Sequence, residues 1–235
     1  MPNADVVQKG LWACSIVLQA ALVLRIMEKN LLFGLRWFVA WMAAEVAFAM
    51  LLICTPIESV LYLNVWNLTQ PALCLLRVAA GWEVIRRTVN IRTGRGFTRC
   101  HALGIVAVMF SLALGAVSLR IEMTILQGSA WEFGVVLVNR AVWTSIATLT
   151  AALLLVRRIR PPWSLDGNTV IQAALLSALA CVETSRYLVA ACSRGKYTVI
   201  VNIVGLFLES LLFAIWIALL KTESEVAQMP ASRAA

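Results

Sequence analysis

Residues 198–220 read TVIVNIVGLFLESLLFAIWIALL. A single charge, Glu209, interrupts twenty-three residues that are otherwise uncharged. As a helix rising ~1.5 Å per residue the stretch reaches ~35 Å, enough to cross a hydrocarbon layer of about 30 Å. Six more stretches of this kind precede it, at 10–27, 33–54, 60–85, 102–119, 133–156 and 169–192. None shows the period-two alternation of a membrane barrel.

The rest of the chain fits that reading. It is 61% hydrophobic and 14% charged over 235 residues, with a mean hydropathy of +0.85. Soluble domains carry about 25% charge, so a soluble enzyme, a disordered protein and a disulfide scaffold are all excluded. Seven spans leave no room for a soluble catalytic domain. The expected fold is all-α: a seven-transmembrane-helix bundle forming one domain over 1–220, with a short tail at 221–235. The first stretch is read as a retained span, because Arg25 and Lys29 follow its apolar run where a signal peptide has its charges first.

The net charge of +8 is explained first by topology, not nucleic acid. Thirteen of the twenty basic residues fall on one side of the spans, at Arg25, Lys29 and Arg36, at 86–99, at 157–160 and in the tail. Four fall on the other side: Lys9, Arg120, Arg194 and Lys196. That asymmetry places the N-terminus outside and the C-terminus in the cytoplasm, with the cell membrane (a bacterial inner membrane) as the location. Trp12, Trp66 and Trp131 then lie near outer helix ends and Trp37, Trp82 and Trp163 near inner ones, as an aromatic belt requires.

The basic loop carrying Arg86, Arg87, Arg92, Arg95 and Arg99 has a second reading besides topology. It would serve as a docking patch for anionic lipid headgroups or for an acidic protein partner at the cytoplasmic face. Ala107, Ser111 and Gly115 form a small-residue stripe in the fourth stretch, read as internal packing ahead of a dimer face. Cys14, Cys74 and Cys181 are small apolar fillers, Cys100 is a reduced loop thiol, and Cys54 with Cys192 are two outer-end thiols for which a disulfide is one option.

The sharpest signal is charge inside the spans. Glu45, Arg77, Arg140, Glu183, Arg186 and Glu209 are three of each sign. Each costs roughly 2.5–3.5 kcal/mol at the bilayer centre on insertion scales, so all six are expected to face the bundle interior and pair. Arg140 is expected beside Glu183, and Arg77 within reach of either remaining carboxylate. Asn67 and Gln70 share a face one turn apart, with Pro71 bending the helix after them, and Asn139 and Asn202 add further amides. Two readings stand side by side: a self-neutralising packing network, or a polar cavity for a small ligand.

Several chemistries are excluded. His101 is the single histidine and lies in a loop, which rules out a haem pair, a zinc protease and a Ser–His dyad. The four lysines all lie away from mid-membrane, which rules out a retinal Schiff base. No catalytic residue, cofactor, metal or nucleic-acid partner is expected.

A weak internal repeat pairs Glu45–Cys54 with Glu183–Cys192 and Tyr62–Asn67 with Tyr197–Asn202, which points to a 3+1+3 plan. Leu35–Arg36–Trp37–Phe38 through Ala44–Glu45, with Tyr62–Leu63–Asn64–Val65–Trp66 and Trp82–Glu83, resembles a group of bacterial seven-helix membrane proteins. That resemblance implies a bacterial seven-span protein and carries over no functional residue. The 3+1+3 plan also resembles small seven-helix sugar transporters, although their Pro-Gln pair stands reversed here as Gln70–Pro71. The leading expectation is a transporter or facilitator for a small polar or charged solute, embedded in membrane lipid. The alternative is a membrane sensor, or an accessory or structural subunit of a larger membrane complex.

Overall fold

The computed structural model describes residues 2–29, 31, 34–53, 55, 59–89, 111, 130–159, 167–193 and 196–220. These form six helices and no strand: α1 (Pro2–Glu28), α2 (Arg36–Ile53), α3 (Val60–Val89), α4 (Ala130–Ile159), α5 (Gly167–Cys192) and α6 (Thr198–Leu219). Four of them contain segments long and apolar enough to cross a membrane: Val6–Glu28, Phe133–Leu155, Val170–Cys192 and Thr198–Leu219. Among its described residues the protein is therefore all-helical, with the hallmarks of an integral membrane protein. α3 falls outside the four, as Asn64, Asn67, Gln70 and Arg77 interrupt its apolar run.

The fourth sequence stretch, 102–119, lies outside the described residues except for Ser111, which is buried. So do Cys54, Cys100, His101, Arg92, Arg95, Arg99, Arg120, Trp163 and the tail. Arg86, Arg87, Arg157 and Arg158, expected in links, instead occupy the last turns of α3 and α4. Cys192 stands as a free thiol, and Cys54, its candidate disulfide partner, lies outside the described residues.

The helices close a ring. Each packs on its chain neighbour, α6 packs back on α1, and α3 also touches α5 across the ring. α2 and α3 run antiparallel, since Glu45 meets Arg77 at one level and Glu83 meets Trp37 and Phe38 at another. Glu83 Oε2 accepts the backbone N–H groups of Trp37 and Phe38, both at 3.2 Å, and so caps the first turn of α2 from a neighbouring helix. α3 and α4 run parallel: Arg77 meets Asn139 and the Trp143 ring, and Gly81, four residues further on, meets Ile146.

Three threonines inside α4 are satisfied locally. The hydroxyls of Thr144, Thr148 and Thr150 donate to the carbonyls of Arg140, Thr144 and Ile146, the usual back-bonding of threonine in a buried helix. Below mid-bundle the ring is filled by a tight core. Phe38, Trp41, Phe213, Trp216, Leu176 and Leu179 are all under 2% exposed. Phe38 lies 5.5 Å from Trp41 and 4.6 Å from Trp216, and Trp41 lies 5.6 Å from Trp143, so the aromatics form one connected layer.

Candidate solute-binding cavity

Above that aromatic layer the ring is not filled. A cavity of about 410 Å³ runs from the layer toward the end where α1 begins, α2 ends and α3 begins. Gln8, Lys9, Leu52 and Tyr62 line this upper part, and Lys9 is exposed, so the cavity reaches the surface there. Trp41, Trp143, Leu179 and Phe213 form its floor. Trp12, Phe48, Tyr62 and Trp66 supply further aromatic wall. Trp12 and Trp66 were expected only as belt residues; both are half-buried and face the cavity, whereas Trp37, Trp82 and Trp131 are exposed as a belt requires.

Five of the six charges expected inside the spans line the cavity and form two groups. In the first, Arg77 joins three helices. Its Nη2 donates to Glu45 Oε1 on α2 at 2.9 Å, and its Nη1 donates to Asn139 Oδ1 on α4 at 2.6 Å. Its guanidinium carbon stands 4.9 Å from the Trp143 ring centre. Asn139 passes the link on, donating from Nδ2 to the Tyr187 hydroxyl of α5 at 3.0 Å. Arg77 is 5% exposed, and a planar fork with two acceptors and an aromatic face is the arrangement that suits a buried arginine.

The second group centres on Arg186. It pairs with Glu183 one turn away on α5, donates from Nη2 to Asn202 Oδ1 on α6 at 3.3 Å, and lies 4.0 Å from Glu209 Oε2. Glu209 in turn accepts from Gln19 Nε2 on α1 at 3.4 Å, which ties α6 to α1. Arg186 reaches these partners because α6 has no side chain at Gly205. A Cβ there would lie 2.2 Å from Arg186 Cδ and 2.6 Å from its Nε. Asn202, Gly205 and Glu209 recur at helical spacing and form one face of α6.

Arg140 departs from expectation. It is buried, and its guanidinium carbon stands 5.1 Å from the Tyr187 ring centre, while Glu183 takes Arg186. The depth argument placed Arg140 and Glu183 at one level, yet a partner one turn away on the same helix costs less ordering than one on the next helix. Gln70 lines the cavity; Asn67 is half-buried and its Oδ1 lacks a hydrogen-bond partner. Gln19, Gly205 and Tyr187 were not foreseen. Tyr187 links the two groups, standing next to Arg186 in the chain and bonded to Asn139.

Three residues of the lining also carry buried polar atoms without partners: Gln19 Oε1, the Trp41 indole N–H and Arg77 Nε. Such atoms are uncommon in packed interiors and concentrate where a ligand or function supplies the missing partner. Among the described residues no three His, Cys, Asp or Glu side chains gather as a metal site would need. No protein-family model, curated protein or solved structure matches the chain, so the resemblance to bacterial seven-helix proteins gains no support from them.

Proposed function

We propose that this chain is a seven-span membrane protein that admits a small polar or charged solute to the cavity, and that it acts as a transporter or facilitator and not as an enzyme. The observation that carries the reading is the cavity itself. It is charged, walled by aromatics, reached from one end of the helix ring and sealed at the other by the Phe38–Trp41–Trp216 layer. A volume of about 410 Å³ falls within the range of small-molecule sites. A purely structural subunit would gain nothing from leaving that space unfilled, because packing it would add dispersion contacts.

The seventh span is supported by direction. α3 and α4 are parallel neighbours, so residues 90–129 have to return the chain from the end of one to the start of the other. Forty residues suffice for one more crossing, and 102–119 is the apolar run among them. With the 13-to-4 basic asymmetry, the open end of the cavity faces outside and the aromatic layer lies on the cytoplasmic side, in the manner of an outward-facing state.

A two-sided labelling test separates transporter from sensor. Gln70→Cys in a background lacking the other six cysteines is exposed to a membrane-impermeant thiol reagent in right-side-out and in inside-out vesicles. A transporter is labelled from both sides, because it visits a state open to the cytoplasm. Labelling from outside alone favours the sensor reading, and no labelling from either side ends the solute-cavity reading.

A further inference from the structure

In the lower wall of the cavity carboxyl groups outnumber guanidinium groups. Its lower wall carries three carboxylates, Glu45, Glu183 and Glu209, and two guanidinium groups, Arg77 and Arg186. Arg77 is committed to Glu45 at 2.9 Å, and Arg186 to Glu183 and Asn202. Glu209 is left with the long end of a shared arginine, at 4.0 Å, and with neutral donors, the Gln19 amide and the Ser15 hydroxyl. Lys9 is the remaining cation in the lining, and it stands ten residues before Gln19 on α1, about 15 Å along the helix. Arg140 lies against Tyr187 and does not line the cavity.

Beside this carboxylate is an acceptor without a donor. Gln19 is 4% exposed; its Nε2 faces Glu209, which leaves Oε1 buried and unpartnered. A carboxylate and an amide oxygen together call for a group with positive charge and N–H donors. The walls around them are aromatic, and the electron-rich faces of Trp and Tyr attract cations while accepting apolar surface. An anion meets the opposite: both arginines it would seek are already bonded.

Resting on the solute-cavity reading above, we propose that the ligand is a small protonated amine with an apolar or aromatic body. Its ammonium group bonds Glu209 and Gln19 Oε1, and its body lies among the aromatic walls.

The test is calorimetric titration of the full chain in lipid nanodiscs with three probes that share one ring: benzylamine, benzyl alcohol and benzoate. Benzylamine is expected to bind about tenfold or more tightly than the other two, the worth of a charge-assisted hydrogen bond in a desolvated site. Glu209→Gln should cut benzylamine affinity about tenfold and reduce its preference over benzyl alcohol to within about twofold. Gln19→Leu removes the acceptor together with the amide donor to Glu209, and should lower benzylamine affinity in the same direction. If Glu209→Gln does not fold, the three probes on the unaltered chain still decide. Equal or tighter binding of benzyl alcohol or benzoate overturns the amine assignment and leaves the cavity reading standing. Binding of none of the three overturns the assignment too, and if Gln70→Cys is also unreactive the cavity reading falls with it.

Discussion

Gly205→Ala adds one methyl group and should disturb the whole Arg186 group. The new Cβ would lie 2.2 Å from Arg186 Cδ, 2.6 Å from Nε and 2.8 Å from Cγ. Carbon–carbon contacts settle at about 3.5–4.0 Å, so the stem of Arg186 has to move by more than ~1 Å. It is not a free chain end, since the guanidinium is held by Glu183 and Asn202. Overpacking of this kind costs about 1–3 kcal/mol, while alanine's better helix propensity returns up to ~1 kcal/mol. The expected net loss is about 1–2 kcal/mol, or a Tm lower by several degrees at about 2–4 °C per kcal/mol for a chain of this length. Gly10→Ala and Gly134→Ala are the controls: a Cβ at either meets nothing within 4 Å, so both should be neutral or slightly stabilising. Thermal unfolding in one detergent compares the three. A Gly205→Ala protein as stable as Gly134→Ala would refute the claim that Arg186 lies across the α6 backbone.

Arg77→Gln should be among the most destabilising single changes, by about 3 kcal/mol, because it strands Glu45 and releases Asn139. Arg77→Lys should not rescue it, as a lysine does not offer the same planar fork to Glu45 and Asn139; Glu45→Gln combined with Arg77→Gln should recover part of the loss in the same unfolding assay. Glu183 and Arg186 should show a double-mutant coupling of about 1 kcal/mol or more, and Glu183 with Arg140 a smaller one. Glu83→Ala should cost about 1–2 kcal/mol through loss of the α2 cap, measured by thermal unfolding. Reporter fusions after Lys221 should read cytoplasmic and fusions within 56–58 external; an external C-terminus would overturn the seven-span count.

Six of the seven expected helices and the list of interior charges could be read from composition and spacing, because a bilayer tolerates so few alternatives; 102–119 lies outside the described residues. Glu45, Arg77, Glu183, Arg186 and Glu209 all reach the cavity wall. What spacing does not contain is azimuth. Arg140 and Glu183 have matching depths, but rotation of α4 and α5 about their axes decides contact, and it turns Arg140 onto the Tyr187 ring. Closure of the ring is similarly hidden: Gln19 and Glu209 are 190 residues apart in the chain, and no local pattern joins them. Gly205 reads as an ordinary glycine in an apolar run until the side chain crossing it is known. Trp12 and Trp66 are read from the sequence as interfacial residues, and that reading gives no sign that both stand in the cavity wall.

The account turns on a cavity open at the α1 N-terminal end and sealed by the aromatic layer. Four single-cysteine variants in a background lacking the native cysteines, at Gln8, Tyr62, Gln70 and Leu176, test it when an impermeant thiol reagent is applied to intact cells. Gln8, Tyr62 and Gln70 line the cavity, whereas Leu176 is fully buried beside its floor. The first three should react, with the rate falling from Gln8 to Gln70, and Leu176 should stay unmodified. Protection of Gln70, or reaction at Leu176 as fast as at Tyr62, would contradict it.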